Sequence, residues 1–94
     1  MNREELLQKA ISTYGINSQL DMAVEEMSEL TKEICKRKRG KENRAEILEE
    51  IADVKIVLEQ LKIIFCISDD DIERMVTSKL DRLRIRLERV TADD

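Results

Sequence analysis

Residues 43–66 read NRAEILEEIADVKIVLEQLKIIFC, and the apolar spacing in this stretch decides the fold. Ile47, Ile51, Val54, Leu58, Leu61 and Phe65 recur at three- and four-residue steps, the period of an α-helix and not the alternation of a strand. Leu48, Ala52, Ile56 and Ile63 mark a second apolar stripe on another side. A helix that is apolar on more than one side is expected to be buried. In a chain of 94 residues one small core cannot cover several faces, so the pattern predicts partners from a second copy of the chain.

Working outward, the stretch opens on Asn43 with Glu46, the spacing of a capping pair, and predicts a helix from about Arg44 to about Cys66. Upstream, Leu20, Ala23, Val24, Met27, Leu30 and Ile34 form a helical stripe that begins after Ser18 with Asp21 and ends in the basic run Lys36 to Arg39 followed by Gly40. A shorter helix carries Leu6, Leu7, Ala10 and Ile11 between an Asn2 and Glu5 cap and Gly15. Downstream, Ser68 with Asp71 caps a last helix bearing Ile72, Met75, Val76, Leu80, Leu83, Leu87 and Val90, with a frayed tail over Thr91 to Asp94. There is no proline and no strand pattern, and the only glycines fall between helical segments. The expected architecture is all-α: one domain over residues 1–94, a bundle of four main helices whose core is completed by oligomerisation.

Composition narrows the function classes. Apolar residues make up 41% of the chain, too many for disorder, yet Tyr14 and Phe65 are its only aromatics, so an aliphatic core must serve. A net charge of −4 argues against a general nucleic-acid binder. No apolar run approaches the roughly 18 residues of a membrane span, and the start of the chain lacks a signal-type apolar segment. A cytoplasmic location is expected. Cys35 and Cys66 match no metal or redox spacing and are expected to be half-buried small hydrophobes in a reducing compartment.

Two pairs of acids resist a bland assignment. Glu50 and Asp53 lie three residues apart in register with Val57 and Ile64, in an apolar row of the third helix. A buried carboxylate is costly unless it is paired, protonated or bound to a cation. Glu26 and Glu29 repeat the spacing on the second helix, and antiparallel packing about Gly40 can bring all four acids around one point. Oxygen ligands without histidine or cysteine suit a hard cation, Mg²⁺ with Mn²⁺ as a substitute. Against this stands ordinary solvated surface: 40% of the chain is charged, and a single ExxE pair arises on any acidic helix face.

Glu25, Glu26 and Glu29 form EExxE, and Glu50 and Asp53 form ExxD, on helices separated by a short basic turn. This paired motif resembles the MazG-type all-α nucleotide pyrophosphohydrolases over about residues 16–87. The resemblance implies helical bundles built by homodimers, often paired into homotetramers, and Mg²⁺-dependent hydrolysis of a nucleoside triphosphate to the monophosphate and pyrophosphate. It implies Glu26, Glu29, Glu50 and Asp53 as metal ligands, with Glu25 supporting a ligand or orienting or deprotonating the attacking water. In the last helix Lys79, Arg82 and Arg86 match basic positions that contact phosphate, although the same residues also read as a solvated face paired with Asp81 and Glu88. Leu83 stands where the family often has an asparagine, so base and sugar preference is not carried over. The chain has no histidine, no Gly-rich phosphate loop and no nucleophile motif, which leaves carboxylates as proton acceptors. The rival reading is a non-catalytic helical oligomer, acting as scaffold, regulator or nucleotide sensor.

Overall fold

A computed structural model describes residues 1–92 as four α-helices: α1 (Arg3–Tyr14), α2 (Ile16–Lys38), α3 (Arg44–Ile64) and α4 (Asp69–Ala92). No strand occurs among the described residues. The all-α expectation is met, and helices α1 and α4 open as the capping patterns predict. Asn2 Oδ1 accepts from the Glu5 amide at 2.8 Å, and Ser68 Oγ accepts from the Asp71 amide at 3.1 Å. Thr91 and Ala92 are helical, and the rest of the expected tail lies outside the described residues.

Two other expected caps are not formed. Helix α2 begins at Ile16 directly after Gly15, whose φ of 91° lets the chain turn from one helix into the next, so Ser18 lies inside the helix. At the start of α3, Asn43 makes no side-chain cap. It turns inward instead and forgoes an interaction worth about 1 kcal/mol at a typical N-terminus.

The C-termini of α2 and α3 close in the same way. The Gly40 amide donates to the Arg37 carbonyl at 2.9 Å and the Lys41 amide to the Lys36 carbonyl at 3.2 Å, with Gly40 at φ 93°. After α3 the Cys66 amide donates to Ile63 at 3.3 Å and the Ile67 amide to Lys62 at 2.9 Å, with Cys66 at φ 53°. Both are Schellman closures that satisfy carbonyls otherwise left free. The second places a side-chain-bearing residue where glycine is the usual occupant, which is why the spacing carried the expected helix two residues too far. An ion pair between Lys62 and Asp69 spans the bend into α4, and the hydrogen bond to Asp69 raises the Lys62 pKa.

Helices α2 and α3 form the main packed pair, with α1 laid against both, and α4 packs against none of them. Among the described residues the buried apolar side chains are only Leu7, Ala23 and Val57. The expected burial of α3 on several sides is therefore not realised within one chain. Leu48, Ile51, Leu58 and Phe65 are each about half exposed or more, because α1 and α2 together cover only part of the helix. Cys35 and Cys66 are exposed rather than half-buried, the first on an outer face of α2 and the second beyond the end of α3. A radius of gyration of 17.3 Å contrasts with about 12 Å for a compact domain of this length. The extended α4 accounts for the difference.

Candidate functional site

The α2–α3 seam is layered by residues seven apart in sequence, which occupy nearly the same angular position on a helix. Helix α2 contributes Gln19, Glu26 and Glu33 at this interval, and α3 contributes Glu50 with Val57 and Asp53 with Gln60. Gln19 and Gln60 meet at one end of the seam, where Gln60 Nε2 donates to Gln19 Oε1 at 2.6 Å. Ala23 and Val57 form the buried apolar layer. Next along the seam come the acids, and beyond them, at the turn end, Glu33 and Asn43.

Glu26, Glu50 and Asp53 converge: each offers a carboxylate oxygen within 4.8 Å of the others, and all three residues are half-buried. At such separations like charges repel strongly, more so where water is partly excluded. Partial burial and the neighbouring Asp53, Glu50 and Glu25 raise the Glu26 pKa above the ordinary 4.5. Burial, then Asp53, Glu29, Glu49 and Glu33, raise that of Glu50. Glu50 Oε2 is a buried acceptor with no hydrogen-bond partner. An oxygen-only set with an orphaned carboxylate atom fits a small divalent cation in donor chemistry.

The other predicted site residues are placed differently. Glu29 is half-buried and close enough to raise the Glu50 pKa, but its Oε1 accepts from Lys32 Nζ at 3.2 Å, and it does not join the converging group of three. Glu25 is exposed beside Glu26. Lys79, Arg82 and Arg86 are exposed on α4, where with Ile85 and Arg89 they line an open furrow. Because α4 packs on neither α2 nor α3 and meets α3 only through the Lys62–Asp69 pair at the bend, the basic and acidic residues are not brought together within one chain.

Sequence reasoning missed the polar residues that flank the acids. Glu33 is buried at 8% exposure, its Oε1 3.3 Å from Lys36 Nζ. Asn43 is the most deeply buried side chain of the chain's described part, at 1% exposure, and its Nδ2 donates to the Glu33 carbonyl at 2.8 Å. The seven-residue spacing of Gln19, Glu26 and Glu33 was the available signal: three polar residues in one row that α3 must face. No family model, curated protein or solved structure matches the chain.

Proposed function

We propose that the chain is a Mg²⁺-dependent pyrophosphohydrolase of the MazG type, which cleaves a nucleoside triphosphate to the monophosphate and pyrophosphate and acts as a homodimer or homotetramer. The observation that carries this reading is the convergence of Glu26, Glu50 and Asp53 with an orphaned Glu50 oxygen among them. Ordinary surface acids diverge into water or pair with cations, as Glu29 does with Lys32. These three do neither.

Glu26, Glu50 and Asp53 would hold the cation, with Glu29 completing the set after rotating away from Lys32, since an exposed pair of this kind holds its geometry weakly. A bound divalent cation supplies charge neutralisation on phosphate oxygens and lowers the pKa of a coordinated water. The chain's own part is placement and proton transfer. Water forms a new P–O bond in line with the departing oxygen, the bridging P–O bond breaks, and pyrophosphate leaves with the electron pair. Glu25, next to Glu26 and open to solvent, would accept the water's proton, a role that falls to a carboxylate in a chain without histidine.

Lys79, Arg82 and Arg86 provide phosphate-binding charge, and their separation from the acids within the chain supports self-association. The acidic segments Asp21–Glu33 and Glu46–Glu59 carry the exposed Val24, Leu48, Ile51 and Leu58 on the sides turned away from the seam. The α4 stripe Val76, Leu80, Leu83 and Val90 is equally uncovered and is rich in arginine at its edges. Apolar surfaces of opposite charge on one polypeptide suit reciprocal docking between two copies. The same exposed surfaces favour the rival reading, a scaffold without chemistry.

Pyrophosphate release from the common nucleoside triphosphates with Mg²⁺, assayed for wild type and Asp53→Asn, separates the readings. Turnover by the wild type and a loss of at least about 100-fold in the variant is the expected result. Absence of turnover together with a melting temperature indifferent to Mg²⁺ rejects the enzyme in favour of the scaffold, and nucleotide-induced stabilisation without product identifies a sensor.

A further inference from the structure

Two antiparallel helices joined by a short turn can slide along one another, and a slip of one turn, about 5.4 Å, would carry Glu50 and Asp53 past Glu26. Ala23 and Val57 do not prevent this, because aliphatic contacts in a seam tolerate shifts better than directed bonds do. Buried polar contacts are the features that specify register. At the turn end that contact is Asn43.

Its geometry is costly in two ways and gains one thing. Asn43 leaves the α3 N-terminus without a side-chain cap, and its Oδ1 is buried with no partner. In return Nδ2 reaches across ten residues to the Glu33 carbonyl at 2.8 Å and lies 3.4 Å from Glu33 Oε2. We propose that Asn43 is a positioning residue: its bond to the Glu33 backbone fixes the register of α3 on α2, and with it the meeting of Glu26, Glu50 and Asp53. The Gln19–Gln60 bond holds the opposite end of the seam. The acids lie between the two fastenings. The inference deepens the proposed function, because a cation needs its ligands held in place, and its functional readout rests on that reading.

Asn43→Ala and Asn43→Asp test it together. Aspartate keeps the shape and is itself a good N-cap, but as a carboxylate it has no donor for the Glu33 carbonyl. If Asn43 served as an ordinary cap, the aspartate variant would resemble wild type. Leu7→Ala, which weakens the α1 packing without touching the turn, serves as the control for lost stability.

Spin labels on the native Cys35 of α2 and on an introduced Lys55→Cys of α3, in a Cys66→Ser background, report the register through their separation. Both Asn43 variants are expected to shift or broaden that separation by one helical turn, ~5 Å, while Leu7→Ala leaves it unchanged. Half-saturation by Mg²⁺, read from melting temperature, should rise by about 10- to 100-fold in both Asn43 variants and stay constant in the control. An unchanged label separation in Asn43→Asp overturns the inference. A wild type that ignores Mg²⁺ defeats the proposed function instead, and the label separation still decides the role of Asn43. Should Asn43→Ala not fold, the label separation in the aspartate variant suffices to uphold or overturn that role.

Discussion

Glu50 combines three properties that surface glutamates do not share: half-burial, a carboxylate oxygen without a partner, and Asp53 and Glu26 close by. The sign of its effect on folding follows from its pKa. Glu26 and Glu50 are both raised above 4.5 in the folded chain, so the folded state holds their protons more tightly than the unfolded state does. Unfolding then releases protons in the interval from 4.5 up to the raised values, and the contribution of these groups to stability falls as pH rises through it. The metal-free protein should therefore melt at a lower temperature above the raised values than at pH 4.5 through these groups, and Glu50→Gln should flatten that loss. Mg²⁺ should restore stability far more at the higher pH, where the acids are ionised and able to bind. Melting curves at both pH values, with and without Mg²⁺, check this, and a wild type and Glu50→Gln of equal slope would remove the repulsion argument. The positions of Glu26, Glu50 and Asp53 were legible because i, i+3 spacing on adjoining helices is enough to foresee a meeting. The turn of Glu29 toward Lys32 was not, since two acids on one face and a lysine one turn away leave several pairings of similar energy.

Among the elements, the helices were legible and their ends less so. Periodicity placed α3 within two residues of its observed end, while the terminating residue was hidden because Cys66 is not a glycine. This contrast yields a paired prediction. Gly40 at φ 93° has nothing within 4 Å of an added Cβ, so Gly40→Ala is penalised by the backbone alone. The expected destabilisation is about 1 kcal/mol. At Cys66, φ 53°, the opposite change relieves the left-handed conformation, and Cys66→Gly should stabilise by roughly 0.5–1 kcal/mol after the greater freedom of glycine in the unfolded chain is counted. Urea unfolding of both variants measures the pair. Opposite signs are required; a neutral Gly40→Ala would mean that the α2 closure does not hold the turn. Asn43 shows the other limit of sequence reading, because a capping pattern and a buried inter-helix bond call for the same residue type, and only the packing of Glu33 against the turn chooses between them.

At the scale of the whole molecule, one chain is a small core of three helices with an arm that opens on Asp69, Asp70, Asp71 and Glu73 and is basic over residues 74–89. The arm residues Arg74, Lys79, Arg82, Arg84, Arg86 and Arg89 outnumber Asp81 and Glu88 between positions 74 and 89, whereas Asp21, Glu25, Glu26, Glu29 and Glu33 outnumber Lys32 between positions 21 and 33 of α2. The two apolar stripes of α3 indicate that one chain cannot cover itself, and the exposed Leu48, Ile51 and Leu58 agree with that limit. Residues 74–89 of the arm, laid on the acids of α2 and α3 in a second copy, meet opposite charge and cover apolar surface on both. Under the proposed function this arrangement has a consequence for activity that a cis arrangement lacks. Asp53→Asn disables the acidic half of a site and the double variant Arg82→Ala, Arg86→Ala disables the basic half, so each protein alone should be inactive. Mixed after mild dissociation, about half of the dimers carry one of each chain, and one of their two sites then joins an intact acidic half to an intact arm. Activity should return to about a quarter of wild type. If the arm serves its own chain, every mixed site lacks one half and the mixture stays silent. Leu83→Asp, which places a charge in the apolar stripe of α4, should lower both the sedimenting mass of the wild type and the activity recovered on mixing. A mass unchanged by Leu83→Asp would move the interface away from the arm.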